Sequence, residues 1–175
     1  MQFVDFLRVS VLLSAAAATA LAIITVLSAA PNSDTAVFIC AGWWLVAAIG
    51  GVWLGRASHV NPRIARLLAQ AKPTKTMPEH RPGGILLNRL WPLLLYTVIA
   101  GGLALLAPQI PGIAAGFAII WSLSWRRQDA AVEAIEERDG IRFYVLRTSP
   151  IRPIELERAP GFKAIHPERM NGAAT

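Results

Sequence analysis

The chain has 175 residues, 54% of them hydrophobic and 16% charged, with a formal net charge of +6 and one cysteine, Cys40. A single cysteine excludes an intramolecular disulfide, and His59, His80 and His166 stand apart with no second ligand pair, which speaks against a helical metal site. The apolar residues gather in long runs without charge, the pattern of an integral membrane protein.

The first run is Val9 to Ala30, preceded by an arm carrying Arg8 against Asp5. Its end, Ser28-Ala29-Ala30, has the small residues that signal-peptide cleavage uses. However, 22 apolar residues exceed the usual signal core of about 7 to 15, so a membrane span over about residues 7–30 is the preferred reading. A short loop, Pro31 to Thr35, holds only Asp34, and the second run, Ala36 to Gly55, predicts a span over 36–55.

Between Arg56 and Arg89 lie seven basic residues, Arg56, Arg63, Arg66, Lys72, Lys75, Arg81 and Arg89, against one acid, Glu79. Asn61-Pro62 opens a short helical pattern, with Asn61 as cap, Ile64, Leu67 and Leu68 on one side and Arg63 and Arg66 on another. This predicts a basic amphipathic helix lying on the membrane surface. The proline- and glycine-rich stretch from Lys72 to Gly84 predicts an extended linker. The seven basic residues are candidates for contact with anionic lipid headgroups, worth about 1 kcal/mol per side chain near the surface. Nucleic acid is not expected as a partner, because no aromatic residues interleave with these charges.

The third run, Leu90 to Trp125, is 36 residues without a charge. As one helix it would extend about 54 Å, against a hydrocarbon core of about 30 Å. It must fold back, and Ala107-Pro108-Gln109-Ile110-Pro111-Gly112 supplies the turn. Two spans follow, about 88–107 and 110–127, each borrowing a turn from its flank.

With lipid as solvent, packing faces are marked by small residues at helical spacing. Such faces are Ser10, Ser14, Ala17, Ala18, Thr25 and Ser28 in the first span, and Ala47, Gly51 and Gly55 in the second. The third has Thr97, Ala100, Gly101 and Ala104, and the fourth has Gly112 and Gly116. Trp53, Trp91, Trp121 and Trp125 read as an interfacial belt, while one of Trp43 and Trp44 faces a partner helix or the outer interface. No Asp, Glu, Lys, Arg or His lies inside the apolar runs Val9 to Ala30, Ala36 to Gly55 and Leu90 to Trp125, so no proton relay or voltage sensor is marked.

After Trp125, Gln128 to Arg138 is acidic and helix-favouring and reads as a cytoplasmic continuation of the last span, stopped at Asp139-Gly140. Ile141, Phe143 and Val145 then alternate with Arg142, Tyr144 and Leu146. Ile154 to Arg158 alternates again, predicting a β-hairpin. An isolated hairpin is marginal in water. It needs the basic loop, a second copy or another protein to lean on, or it caps the bundle; Phe143, Tyr144, Arg147, Ile154 and Leu156 are the candidate docking residues. Residues 161–175 read as a flexible tail.

The fold class expected is an all-α integral membrane protein. It comprises a four-helix transmembrane bundle of two helical hairpins over residues 1–127 with the basic loop 56–89, and a small cytoplasmic helix and β-hairpin over 128–160. Concentration of positive charge in the 56–89 loop places that loop and both termini in the cytoplasm. Arginine outnumbers lysine fourteen to three, which fits a GC-rich bacterial genome and a plasma membrane. The function expected is non-enzymatic, a structural or accessory component of a membrane complex, with the lipid bilayer and a membrane protein or a second copy as partners and no cofactor. The alternatives are a small oligomeric transporter or channel subunit, for which the two hairpins offer a faint internal echo, and a lipid-modifying enzyme using Glu79 and His80.

Overall fold

The fold is described from a computed structural model, in which residues 1–29, 34–56, 60–74, 82–146, 148 and 154–160 are placed. Helices α1 (Phe3–Ala29), α2 (Asp34–Leu54), α4 (Pro82–Gly102) and α5 (Gln109–Trp125) form the bundle, with a short helix α3 (Pro62–Ala69) between α2 and α4. Three of these helical stretches, Phe3–Ala29, Thr35–Leu54 and Gly83–Leu105, are long and apolar enough to cross a membrane. Helix α5 has 17 residues.

The long third run breaks in two, as its composition requires. Helix α4 ends in a 3-10 turn, Leu103–Leu105, where the amides of Leu106 and Ala107 both donate to the Leu103 carbonyl at 3.0 Å. Pro108 then caps α5, and Pro111 sits in its first turn, where a missing amide costs nothing. Helix α5 is the central element, wedged between α1 and α2, while α4 packs on α1 and more lightly on α5. Consequently the buried residues of α5 are small: Gly112, Ala114, Ala115, Gly116, Ala118 and Ser122. Large side chains such as Leu12, Phe38, Val46, Val98 and Phe117 point away from the protein.

A second core forms at one end of the bundle. Phe3, Val4, Phe6 and Leu7 of α1, Ile64 and Leu68 of α3, Ala71, Ile85 of α4 and Val132 join Phe143, Val145 and Leu156 in one buried cluster. The last four come from a separate helix α6 (Gln128–Asp139) and from strands β2 (Ile141–Val145) and β3 (Leu156–Pro160). The predicted hairpin is present: β2 and β3 pair antiparallel, with Phe143 opposite Arg158 and Val145 opposite Leu156. A two-residue strand β1 (Lys72–Pro73) pairs parallel to β3, giving the order β1-β3-β2. On the other edge the amide of Val145 donates to the Met1 carbonyl at 3.0 Å, and Gln2 bridges Tyr144. Every candidate support for the hairpin within the chain is therefore used, and together these pieces make a cap.

Helix α1 starts at Phe3, its first turns buried in the cap. Three expectations change. The linker read from Lys72 to Gly84 holds a strand at its start, and α4 already begins at Pro82, taking proline in its first turn, where it is tolerated. Helix α6 is not a continuation of α5: the chain turns at Arg126-Arg127 and restarts at Gln128. The apolar face of α3 packs into protein, with Ile64 only 1% exposed, instead of lying on lipid.

Two capping signals act as read. The Asn61 side chain accepts the amide of Arg63 at 3.0 Å, with Pro62 in the first helical position. Gly140 ends α6 at φ 65°, the left-handed conformation that only glycine adopts without strain.

Candidate functional site: a pocket beneath the cap and its basic surroundings

Where α4 leaves the cap, three helices diverge. Ile85 is still in the cap core, and one turn further Arg89 lies beside Leu90 and Leu93. Facing them are Phe6, Leu7, Ser10, Val11 and Ser14, one side of α1 at spacings of three and four, with Trp121 and Trp125 of α5 and Ile154 from the approach to β3. These enclose a hollow of about 330 Å³, at the small end of the range of about 300–1,000 Å³ for ligand pockets.

The walls are almost wholly apolar. The two serines spend their hydroxyls on their own helix, Ser10 on the Phe6 carbonyl at 2.7 Å and Ser14 on the Ser10 carbonyl at 2.8 Å. The rings of Trp121 and Trp125 stack at 5.4 Å with planes 17° apart, forming one wall. Arg89 brings the only formal charge, and its guanidinium donates to the Thr148 hydroxyl. The Asn88 side-chain amide donates to the Thr148 carbonyl at 2.9 Å, so Thr148 is tied to α4.

The other basic candidates lie outside the pocket. Arg56, Arg63 and Arg66 are exposed, and the Arg56 carbonyl accepts from Arg127 at 3.5 Å. Lys72 pairs with Glu155 at 3.1 Å on the exposed side of the sheet. Lys75 and Arg81 lie outside the described residues. The arrangement thus places Arg89 at this pocket and Arg56, Arg63 and Arg66 outside it.

The cap absorbs acids that the sequence left on the surface. Arg8 bridges Asp129 at 3.0 Å and Glu133 at 2.8 Å, fastening α6 to α1. Glu136 is buried, accepting the Phe143 amide at 2.8 Å and Arg142 at 3.3 Å. Burial pushes its carboxyl above the ordinary value, against the downward pull of that amide and of Arg142. The Gln128 side chain is buried too and accepts the Asn61 amide at 2.8 Å, joining the start of α6 to the cap of α3.

The candidate docking residues divide. Phe143 and Leu156 point into the cap core and have no face to offer; Tyr144 and Ile154 are half-buried, and Arg147 lies outside the described residues. The reason is register: in a sheet with one face on a core, every second residue turns inward.

The packing candidates lie at helix contacts. Ala47 is buried, and a side-chain carbon on Gly51 would come within 2.9 Å of Leu123 Cβ, while one on Gly55 would strike the Leu123 carbonyl. Gly112 faces Cys40 and Thr25, Gly116 lies under the Trp43 indole, and a side-chain carbon on Gly101 would lie 3.2 Å from Ile24 Cδ1. Both indoles of the Trp43-Trp44 pair turn to α5, donating to the carbonyls of Ile113 at 3.2 Å and Gly112 at 2.8 Å. Both thus meet a partner helix, where an indole N–H among apolar side chains finds an acceptor.

Among the described residues, no three His, Cys, Asp or Glu side chains converge as a metal site would need. Glu79 and His80 lie outside the described residues. The pocket's one mark in the sequence is the hydroxyl face of α1, Ser10 and Ser14, which by itself spells only a packing face.

The chain matches no protein-family model, and no curated protein and no solved structure is similar enough to count as a match.

Proposed function

We propose that this chain is a four-span, non-enzymatic protein of the plasma membrane. Its cap and both termini lie in the cytoplasm, and it serves as an accessory component of a membrane complex that holds anionic lipid around its basic loop. A membrane setting is supported by the large apolar side chains turned outward on all four bundle helices. A fourth crossing is supported by the placement of helix ends: α4 begins in the cap and α5 returns to it at Trp125. The length of α5 equals the lower limit of about 17 residues for a span.

One observation carries the headgroup reading. Asp129, Glu133, Glu136, Asp139 and Glu155 are all engaged in ion pairs, with Arg8, Arg142, Arg138 and Lys72. Arg56, Arg63 and Arg66 are exposed and form no ion pair among the described residues. Most of the cap's acids are thus paired, Asp5, Glu137 and Glu157 forming no ion pair among the described residues, and the loop that flanks the bundle presents exposed arginines. Such a surface attracts anionic headgroups and fixes depth and orientation for a neighbouring protein.

The test is extraction into polymer-bounded discs of native membrane, with lipids and co-purifying proteins read together. The wild type is expected to carry excess anionic lipid and a stable protein partner, and the triple variant Arg56→Gln, Arg63→Gln, Arg66→Gln to lose the lipid excess. A lipid composition equal to that of bulk membrane, or a homo-oligomer with no partner, would count against the proposal.

A further inference from the structure

The pocket beneath the cap has features that a mere packing defect lacks. Packing between membrane helices relies on close van der Waals contact, so an empty space of about 330 Å³ among α1, α4 and α5 forfeits contact on three sides. Its walls are mostly apolar, and the Ser10 and Ser14 hydroxyls already donate within α1. Measured along α1 from Phe6 to Ser14, it extends about 12 Å at about 1.5 Å per residue, the reach of part of an extended hydrocarbon chain. Trp121, 55% exposed, marks the side on which the pocket opens to the bundle's surroundings. At the end nearest the cap stands one cation, Arg89.

We infer that this pocket holds one acyl chain of a single anionic phospholipid, with the Arg89 guanidinium beside the lipid's phosphate and the stacked Trp121 and Trp125 rings flanking the chain below it. Charge complementarity fixes the class of occupant: an apolar slot closed at one end by an arginine matches a hydrocarbon chain ending in an anion, and guanidinium suits phosphate geometry. Thr148 orients Arg89 from the cap side, so the cap sets the height of the charge. The hollow beside Arg56 differs in kind, being lined by residues of α2 and Arg56 alone, with no second element to enclose a chain.

This assignment rests on the membrane setting proposed above but not on the surface arginines, and the two can fail separately. The experiment is native mass spectrometry of the detergent-solubilised full chain after reconstitution with dioleoylphosphatidylglycerol or dioleoylphosphatidylcholine. The wild type should retain one phosphatidylglycerol in preference to phosphatidylcholine. Val11→Trp and, from the opposite wall, Leu93→Phe fill the slot and should each reduce retention about tenfold, with circular dichroism confirming the fold of at least one. Arg89→Gln should keep a retained lipid but lose the preference for phosphatidylglycerol by about tenfold, the effect expected of one charge-assisted contact. Arg63→Gln with Arg66→Gln should leave the retained lipid in place. Unchanged retention in a folded slot-filling variant, an unchanged preference in Arg89→Gln, or loss of the lipid in the surface double variant would each overturn the assignment.

Discussion

Gly112→Ala tests the wedge of α5 between α1 and α2 at a point where both neighbours come close. The added carbon would overlap Cys40 Sγ and lie 3.1 Å from Thr25 Cγ2 and 3.2 Å from Cys40 Cβ, with both neighbours on fixed helices. Overpacking of this kind costs about 1–3 kcal/mol, more than the helix-propensity gain of about 0.8–1.0 kcal/mol for replacing glycine by alanine. Cys40→Ala removes the atom that is struck. Its own cost should be about 1 kcal/mol or less, and the double variant should be more stable than Gly112→Ala alone, a coupling of about 1 kcal/mol between touching residues. Gly42→Ala and Gly50→Ala are controls: nothing lies within 4 Å of either added carbon, so both should be neutral or slightly stabilising. Reversible unfolding in mixed micelles, followed by circular dichroism, measures all five. If Gly112→Ala behaves like the two controls, or if its effect and that of Cys40→Ala simply add, α5 is not seated as described.

Three further variants address the cap. Ile64→Ala removes a side chain that is 1% exposed and should cost about 2–5 kcal/mol, with faster proteolysis of the cap in detergent; no change in detergent would mean that α3 rests on lipid rather than on protein. Glu136→Ala leaves the Phe143 amide without its acceptor, at a cost of about 1–3 kcal/mol, whereas Glu136→Gln keeps an acceptor and should cost less. Because burial raises the Glu136 carboxyl above its ordinary 4.5, the folded cap favours the protonated form. The stability this lends is present at low pH and is lost as pH rises from about that ordinary value through the raised one. Thermal unfolding across that window should fall with pH in the wild type and fall less in Glu136→Gln; parallel curves would refute the assignment of the slope to this side chain.

What was legible in the sequence is what depends on local chemistry. Pro108, Pro111 and Gly112 mark the reversal between α4 and α5, Asn61-Pro62 marks the start of α3, Gly140 ends α6, and the alternation from Ile141 marks a strand. The cap was not legible, because its core is assembled from five separate parts of the chain. Phe3, Val4, Phe6 and Leu7 are as apolar as the residues that follow them, and nothing in their order says that they meet protein rather than lipid. Strand β1 is two residues long and contains a proline, below any periodicity. Glu136 reads like Glu133 and Glu137 beside it, and only the arrival of β2 over α6 makes one of the three buried. The pocket depends on where three helices part, which is a property of their crossing and not of any one segment. By contrast the glycines at 51, 55, 112 and 116 could be read as contact points, since a missing side chain matters only where something comes close.

The central claim is that the chain crosses the membrane four times with its cap inside. In a Cys40→Ala background, single cysteines at Thr35, Gln109, Arg66 and Glu137 can be treated in intact cells with a membrane-impermeant maleimide. The account requires positions 35 and 109 to react from outside, and positions 66 and 137 to react only after permeabilisation. Labelling of position 137 in intact cells, or protection of position 109 until the membrane is opened, would contradict it.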